Sequence, residues 1–137
     1  MKPIKVGLAG LGTVGGGLAR LMHDNKEQIS RRLGREVVLA RVADLNDELF
    51  KLPGIGPDTQ CSNDFMDIVN DPEIDIAVEL MGGLGVAGKF IEAALGAGKH
   101  VVTANKALLA EDGRRFFQQA AEVERGLYYE ASVCGGI

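Results

Sequence analysis

The chain has 137 residues, close to the roughly 150 that serve as a prior for one domain, and its 46% hydrophobic content is enough for a single buried core and argues against disorder. Lys and Arg number 15 and Asp and Glu 19, a formal charge of −4 at pH 7 with both signs spread along the chain, so bulk charge recruits neither nucleic acid nor an anionic membrane. Glycine is the outlier at 19 residues; with only 4 prolines beside it, collagen-like and low-complexity classes fit poorly, and the glycines must serve particular backbone positions.

Hydrophobic runs and helical patterns alternate. Ile4 to Ala9 is a short buried strand, and Val14, Leu18, Leu21, Met22, Ile29 and Leu33 recur after it at the spacing of one long helix. Lys2 and Lys5 stand ahead of an uncharged stretch, Val6 to Ala19, in the manner of a signal peptide. Its glycines (Gly7, Gly10, Gly12, Gly15, Gly16 and Gly17) would weaken the apolar helix that a signal requires. Val37 to Ala43 reads as a second strand. Pro53, Gly54, Gly56 and Pro57 mark residues 46–63 as a loop with at most one helical turn.

Phe65 to Val69 reads as a short helix and Asp75 to Leu80 as a third strand. Met81, Gly82 and Gly83 turn the chain into a helix with Phe90, Ile91, Ala94 and Leu95 on one face, closed by Gly96 and Gly98. His100 to Thr103 is a fourth strand, Phe116, Phe117, Ala120 and Ala121 mark the longest late helix, and Tyr128 to Val133 is a fifth strand. Strands that are apolar on nearly every residue, separated by helices, imply an α/β fold: a doubly wound, mainly parallel sheet with helices on both faces. Repeats and linkers are absent, and residues 1–137 read as one domain. The chain stops just after a strand on apolar and glycine residues, the expectation for a piece of a longer protein.

Cys61 and Cys134 lie far apart with no CxxC, and His23 and His100 are the only histidines, so neither a disulfide scaffold nor a zinc site is indicated and a reduced, cytoplasmic setting is expected. No apolar run reaches the 18 or so residues of a membrane span.

Gly10-Leu11-Gly12-Thr13-Val14-Gly15 is a GxGxxG pattern, and its setting gives it weight: it follows a strand and opens an amphipathic helix, as in a Rossmann-type dinucleotide-binding unit. Gly10 allows the tight turn, Gly12 lets the backbone approach a pyrophosphate, and Gly15 lets helix and strand pack closely. Free N–H groups and the positive end of the helix dipole supply the anion site. Asp44 ends the second strand, where an acidic residue meets the ribose hydroxyls. It lies farther from Gly10 than the usual spacing of about 20, and a cap for the turn at Leu45, Asn46 and Asp47 is the plainer role for it. Arg41, three positions earlier, should point to the opposite face.

Lys106 follows the fourth strand at the start of a helical stretch, on the sheet edge where open α/β sheets place ligands. A lysine there feels an unfavourable helix dipole, which with partial burial would ease release of its proton; a solvated surface lysine is the plainer alternative.

Ile4 to Gly17, Glu79-Leu80-Met81-Gly82-Gly83, Val102 to Ala110 and Tyr129 to Val133 with Gly135-Gly136-Ile137, in that order, resemble the amino-terminal domain of homoserine dehydrogenase. The resemblance covers the whole chain. It implies the reduction of aspartate 4-semialdehyde to homoserine with NADH or NADPH, on the aspartate-derived route to threonine and methionine. It further implies cofactor contacts from Gly10, Gly12, Thr13, Val14, Gly15, Asp44, Gly82 and Lys106, with Lys106 as the catalytic lysine beside nicotinamide and substrate.

The closing segment matches a structural site for a monovalent cation such as Na+, with Glu130 and the carbonyls of Val133, Gly135 and Ile137 as oxygen ligands, a donor set suited to a hard cation. A substrate domain beyond Ile137 and a homodimer are implied for the full enzyme, and the domain alone is expected to bind cofactor without turnover. Departures from the family pattern are Leu45, where an arginine for the NADP phosphate is frequent, Val86 in place of a proline, and Cys134 in place of a small residue. The first of these leans the cofactor toward NAD. Two other readings of the residues stay open: a non-catalytic dinucleotide sensor, and a methyltransferase-like module that would prefer S-adenosylmethionine.

Overall fold

A computed structural model describes residues 2–129. Their strands are β1 (Ile4–Ala9), β2 (Val37–Ala43), β3 (Gln60–Ser62), β4 (Ile76–Glu79), β5 (His100–Thr103) and β6 (Leu127–Tyr129), joined through helices α1 (Thr13–Asp24), α2 (Lys26–Leu33), α3 (Met66–Asn70), α4 (Gly85–Gly96) and α5 (Lys106–Glu122) and a 3₁₀ turn at Asp47–Lys51. All six strands lie parallel in one sheet in the order β3-β2-β1-β4-β5-β6, the doubly wound α/β arrangement expected of a Rossmann-type fold. Chain order reverses direction between β1 and β4, and ligands gather at that switch point, beyond the carboxyl ends of the strands.

Each face of the sheet carries its own core. Val6, Leu8, Leu39, Val42 and Val78 pack with Leu11 and Ala19 on the side of α1. Ala9, Ala77 and Val101 pack on the other side with Ile68 of α3, Phe90, Ile91, Ala94 and Leu95 of α4, and Leu108, Phe116 and Ala120 of α5. Strand alternation explains the split, since successive residues of β1 send side chains to opposite faces. Gly7 falls on the α3 face, where a Cβ would collide with the Ile68 side chain.

Three elements differ from the sequence reading. The first helical stretch is two helices, because Asn25 stands between them with φ −112° and ψ 20° and both its backbone N–H and its Nδ2 donate to the Leu21 carbonyl at 3.0 Å. An asparagine that caps a carbonyl with its own amide interrupts a periodic pattern without disturbing it. Residues 60–62, read as loop, form the edge strand β3 and pair with Arg41–Ala43, so the described sheet has six strands where five were expected. Three residues are too few to show alternation, and the pairing comes from the neighbouring strand rather than from local propensity. The late helical signals at residues 107–110 and 116–121 belong to one helix of 17 residues.

Candidate functional site

The glycine turn is built as its residue types require. Gly10 has φ +100°, and a Cβ on it would lie 2.7 Å from the Leu80 carbonyl oxygen, so it is held to glycine by conformation and by the closeness of β4's end. A Cβ on Gly15 would overlap the carbonyl oxygen of Gly10, which brings α1 against the turn at the closest possible range. Gly12 is different in kind: nothing lies within 4 Å of the place its Cβ would take, and its φ of −62° suits any residue. Its bareness answers no demand of the fold, and it opens outward at the N-terminus of α1. There the first-turn N–H groups of Thr13, Val14 and Gly15 have no helix carbonyl ahead of them. An extended anion such as a pyrophosphate fits this cradle.

A cleft of about 650 Å³ opens on one side of the turn, lined by Gly10, Gly12, Asp44, Leu45, Asn63, Asp64, Phe65, Met81, Gly82 and Val86 among others. Its jaws are apolar and bare to solvent: Leu45 is 88% exposed and Val86 52%. The Asp44 carboxylate closes the turn from below, accepting from Leu11 N at 2.7 Å through Oδ2 and from Asn46 N at 2.9 Å through Oδ1. Asp44 is therefore both the acidic strand end beside the glycine turn and the cap of the following turn. Either oxygen keeps a lone pair for a further donor.

The rim around Asp44 is acidic. Asn63 Nδ2 donates to the Asp44 carbonyl at 2.9 Å and to the Asp47 carboxylate at 2.6 Å, Asp64 lines the cleft, and Asp67 accepts from Ser62 Oγ at 2.5 Å. Two cations on the neighbouring elements have carboxylate partners of their own. Lys51 pairs with Glu48 at 3.3 Å. Arg41, pointing away from Asp44 as strand alternation requires, pairs with Asp71 at 2.6 Å. The Arg41 guanidinium, hydrogen-bonded to Asp71, holds that carboxyl below its ordinary range.

A smaller cavity of about 220 Å³ continues beyond Gly82, lined by Val14, Glu79, Leu80, Ala104, Asn105 and Lys106. Leu80 and Gly82, the latter at φ +77°, are common to both spaces. Lys106 is the first residue of α5, as its position after β5 implies, but it is exposed, so the partial burial expected of it is not present. Its place is set by Asn105, the N-cap, whose Oδ1 accepts from Leu108 N at 3.1 Å and whose Nδ2 donates to the Gly83 carbonyl at 2.5 Å.

Gly10, Gly12, Asp44 and Gly82 line the larger cleft and Val14, Gly82 and Lys106 the smaller cavity, while Thr13 lines a separate space with Gly12, Gly16 and Arg20, and Gly15 is buried behind the turn. Glu130, Val133, Gly135 and Ile137, the expected cation ligands, lie outside the described residues. Sequence reasoning missed the cleft wall at Asn63, Asp64 and Phe65, which stands in the stretch read as loop and just after it. It also left without a role the buried Glu79, although a carboxylate closing the apolar run Ile76-Ala77-Val78 is a visible signal.

A family model described as "Homoserine dehydrogenase, NAD binding domain" matches residues 10–130. The homoserine dehydrogenase of Neisseria gonorrhoeae is 46% identical over 137 residues, covering 100% of this chain and 31% of that one. The homoserine dehydrogenase of Pseudomonas aeruginosa is 44% identical, again over 100% of this chain and 31% of its own length. Among solved structures, a homoserine dehydrogenase from Thiobacillus denitrificans superposes with a TM-score of 0.86 at 44% identity, over 96% of this chain and 30% of that one. The chain therefore spans about a third of the length of these relatives. Among the described residues, no helix is long and apolar enough to cross a membrane.

Proposed function

The chain belongs to the homoserine dehydrogenase family as its NAD-binding domain, and from that premise we propose that it is the cofactor half of an enzyme interconverting aspartate 4-semialdehyde and homoserine. The domain of residues 1–137 binds the dinucleotide, and the remaining two thirds of such a protein hold the substrate. The observation that carries this reading is the bare Gly12 at the α1 N-terminus, on the wall of a cleft of about 650 Å³ that meets a second cavity, edged by a lysine, at Leu80 and Gly82. A nicotinamide dinucleotide, when bound, supplies or accepts the hydride.

The chain's own residues bind and orient. First-turn N–H groups at Thr13, Val14 and Gly15 hold the pyrophosphate, Gly82 borders both ends of the crevice, and Asp44 accepts hydrogen bonds from the adenosine ribose. Lys106 donates a hydrogen bond or a proton to the substrate oxygen as it becomes an alkoxide, and takes it back in the reverse direction. NAD is the preferred cofactor on this reading, since Asp44, Asp47 and Asp64 would repel a ribose 2′-phosphate and the neighbouring Arg41 and Lys51 are paired.

The oxygen-only cation seat at Glu130, Val133, Gly135 and Ile137, a homodimeric full enzyme, a cytoplasmic location and a place in threonine and methionine synthesis rest on the family resemblance. The experiment is a calorimetric titration of this chain with NADH and, separately, with S-adenosylmethionine. Saturable binding of NADH with none of S-adenosylmethionine is the expected result; the opposite pattern would overturn the reading.

A further inference from the structure

Glu79 is a carboxylate with none of its surface exposed, at the end of the central strand β4. Its hydrogen-bond partners carry no charge. Oε2 accepts from Met81 N at 2.8 Å and Gly82 N at 3.2 Å, and Oε1 accepts from Thr103 Oγ1 at 2.6 Å. Thr103, also fully buried, has its hydroxyl oxygen free to accept, and it does so from Asn105 N at 3.0 Å. A carboxylate withdrawn from water is costly unless each lone pair is met, and an apolar residue here would avoid that cost only by leaving Met81 N, Gly82 N and the Thr103 hydroxyl without this acceptor. What the carboxylate provides that an apolar residue cannot is a link. One oxygen fixes the turn 81–83 that borders both cavities, and the other fixes, through Thr103, the cap that starts α5 at Lys106.

The network is doubled at its outer end, where Asn105 Nδ2 reaches the Gly83 carbonyl at 2.5 Å. The two loops flanking the smaller cavity are therefore tied twice, once beneath and once across. We propose that Glu79 and Thr103 are positioning residues: a buried clasp that couples the dinucleotide-facing turn at Gly82 to the placement of Lys106. The proposal rests on the cofactor reading above. It requires that loosening the Thr103 side frees the lysine while the Glu79 side still holds the turn, because Met81 N and Gly82 N are on the oxygen that Thr103 does not touch.

Thr103→Val and Thr103→Ser in the enzyme that carries this domain test it. For Thr103→Val the expected result is a fall in kcat of about 10-fold with the NADH dissociation constant within about twofold of wild type, since a displacement of a reacting group by a fraction of an ångström is felt in rate before it is felt in affinity. Thr103→Ser restores the hydroxyl and should bring kcat back to within about twofold. A role confined to stability would lower the melting temperature of Thr103→Val without separating kcat from the NADH dissociation constant. An unchanged kcat in Thr103→Val, or a serine variant as impaired as the valine one, overturns the clasp.

If the valine variant does not fold, Glu79→Gln carries the test. Its amide carbonyl can still receive the two backbone donors, but its NH₂ must donate to Thr103 and so turns the hydroxyl away from its present direction. The same split is expected at about fivefold in kcat, and an unchanged kcat again overturns the proposal. Amide hydrogen exchange reads the coupling without turnover: NADH should slow exchange at Asn105 in the wild type and not in the variant. An enzyme that binds NADH but leaves aspartate semialdehyde untouched contradicts the proposed reaction. Equal slowing in wild type and variant contradicts the clasp.

Discussion

The two ends of the crevice are held by different means. Around Asp44 the walls are mostly exposed turns, held within themselves by Asp44 to Asn46 and Ser62 to Asp64 and across the rim by Asn63 to Asp44 and Asp47, with a bare leucine as one jaw. Around Lys106 the lysine itself is exposed, yet the loop that carries it is anchored to a wholly buried carboxylate and hydroxyl between two central strands. A surface that grips a rigid ring tolerates small displacements, because its contribution is spread over many weak contacts. A group that must meet one reacting atom does not, and a buried network is the means of fixing it. On the proposed reading, the difference makes binding and reaction mechanically separable, although both cavities share Gly82 and Leu80.

Removing the lysine should separate the ends most sharply. In the whole enzyme Lys106→Ala is expected to lower kcat by about 10²- to 10⁴-fold, the usual range for a general acid–base group, while NADH binding measured by fluorescence changes by less than about threefold. Equal losses in both would place Lys106 in the binding surface and dissolve the distinction.

The glycines of the turn sharpen it next. Gly15→Ala forces a methyl onto the Gly10 carbonyl and should cost about 3 kcal/mol of stability in a denaturant titration, at the upper end for overpacking because the obstacle is backbone. Gly12→Ala meets nothing and should leave the denaturation midpoint almost unchanged, while weakening NADH about 10-fold, roughly 1.4 kcal/mol, where the pyrophosphate would approach. A stable Gly15→Ala, or a Gly12→Ala that binds NADH normally, would reverse the roles given to the two positions.

The smallest effect belongs to the acidic rim. Asp44→Ala removes the carboxylate that opposes a 2′-phosphate, so the ratio of kcat/KM for NADH over NADPH in the whole enzyme should fall by about fivefold to 10-fold. Part of the loss is general, because the same side chain holds Leu11 N and Asn46 N. A wild-type preference for NADPH left unchanged by the substitution would remove Asp44 from cofactor choice.

Much of this arrangement is legible in the residues. β1, β2 and β5 stand where their apolar runs place them, and the GxGxxG spacing puts three glycines into three distinct physical situations. What periodicity cannot carry is pairing at a distance. The edge strand β3 exists because Arg41–Ala43 offers it a partner, and Asn25 divides a helix whose apolar positions continue through the break. Glu79 is visible as a misplaced charge in an apolar strand, but its meaning depends on Thr103, 24 positions away in the chain and in register beside it on β5. Asp44 caps the following turn and also holds Leu11 N of the glycine turn, a second tie that the local sequence could not show.

The separation of binding from reaction is tested most directly by titrating this chain with ADP-ribose, which lacks the nicotinamide ring, in the wild type and in the Asp44→Ala and Lys106→Ala variants. The adenosine end and the glycine turn should hold this probe without help from the lysine: Asp44→Ala should weaken it by about fivefold or more, and Lys106→Ala should leave its dissociation constant within about twofold. If Lys106→Ala weakens ADP-ribose as much as Asp44→Ala does, the two ends act as one surface and there is no division of labour between them.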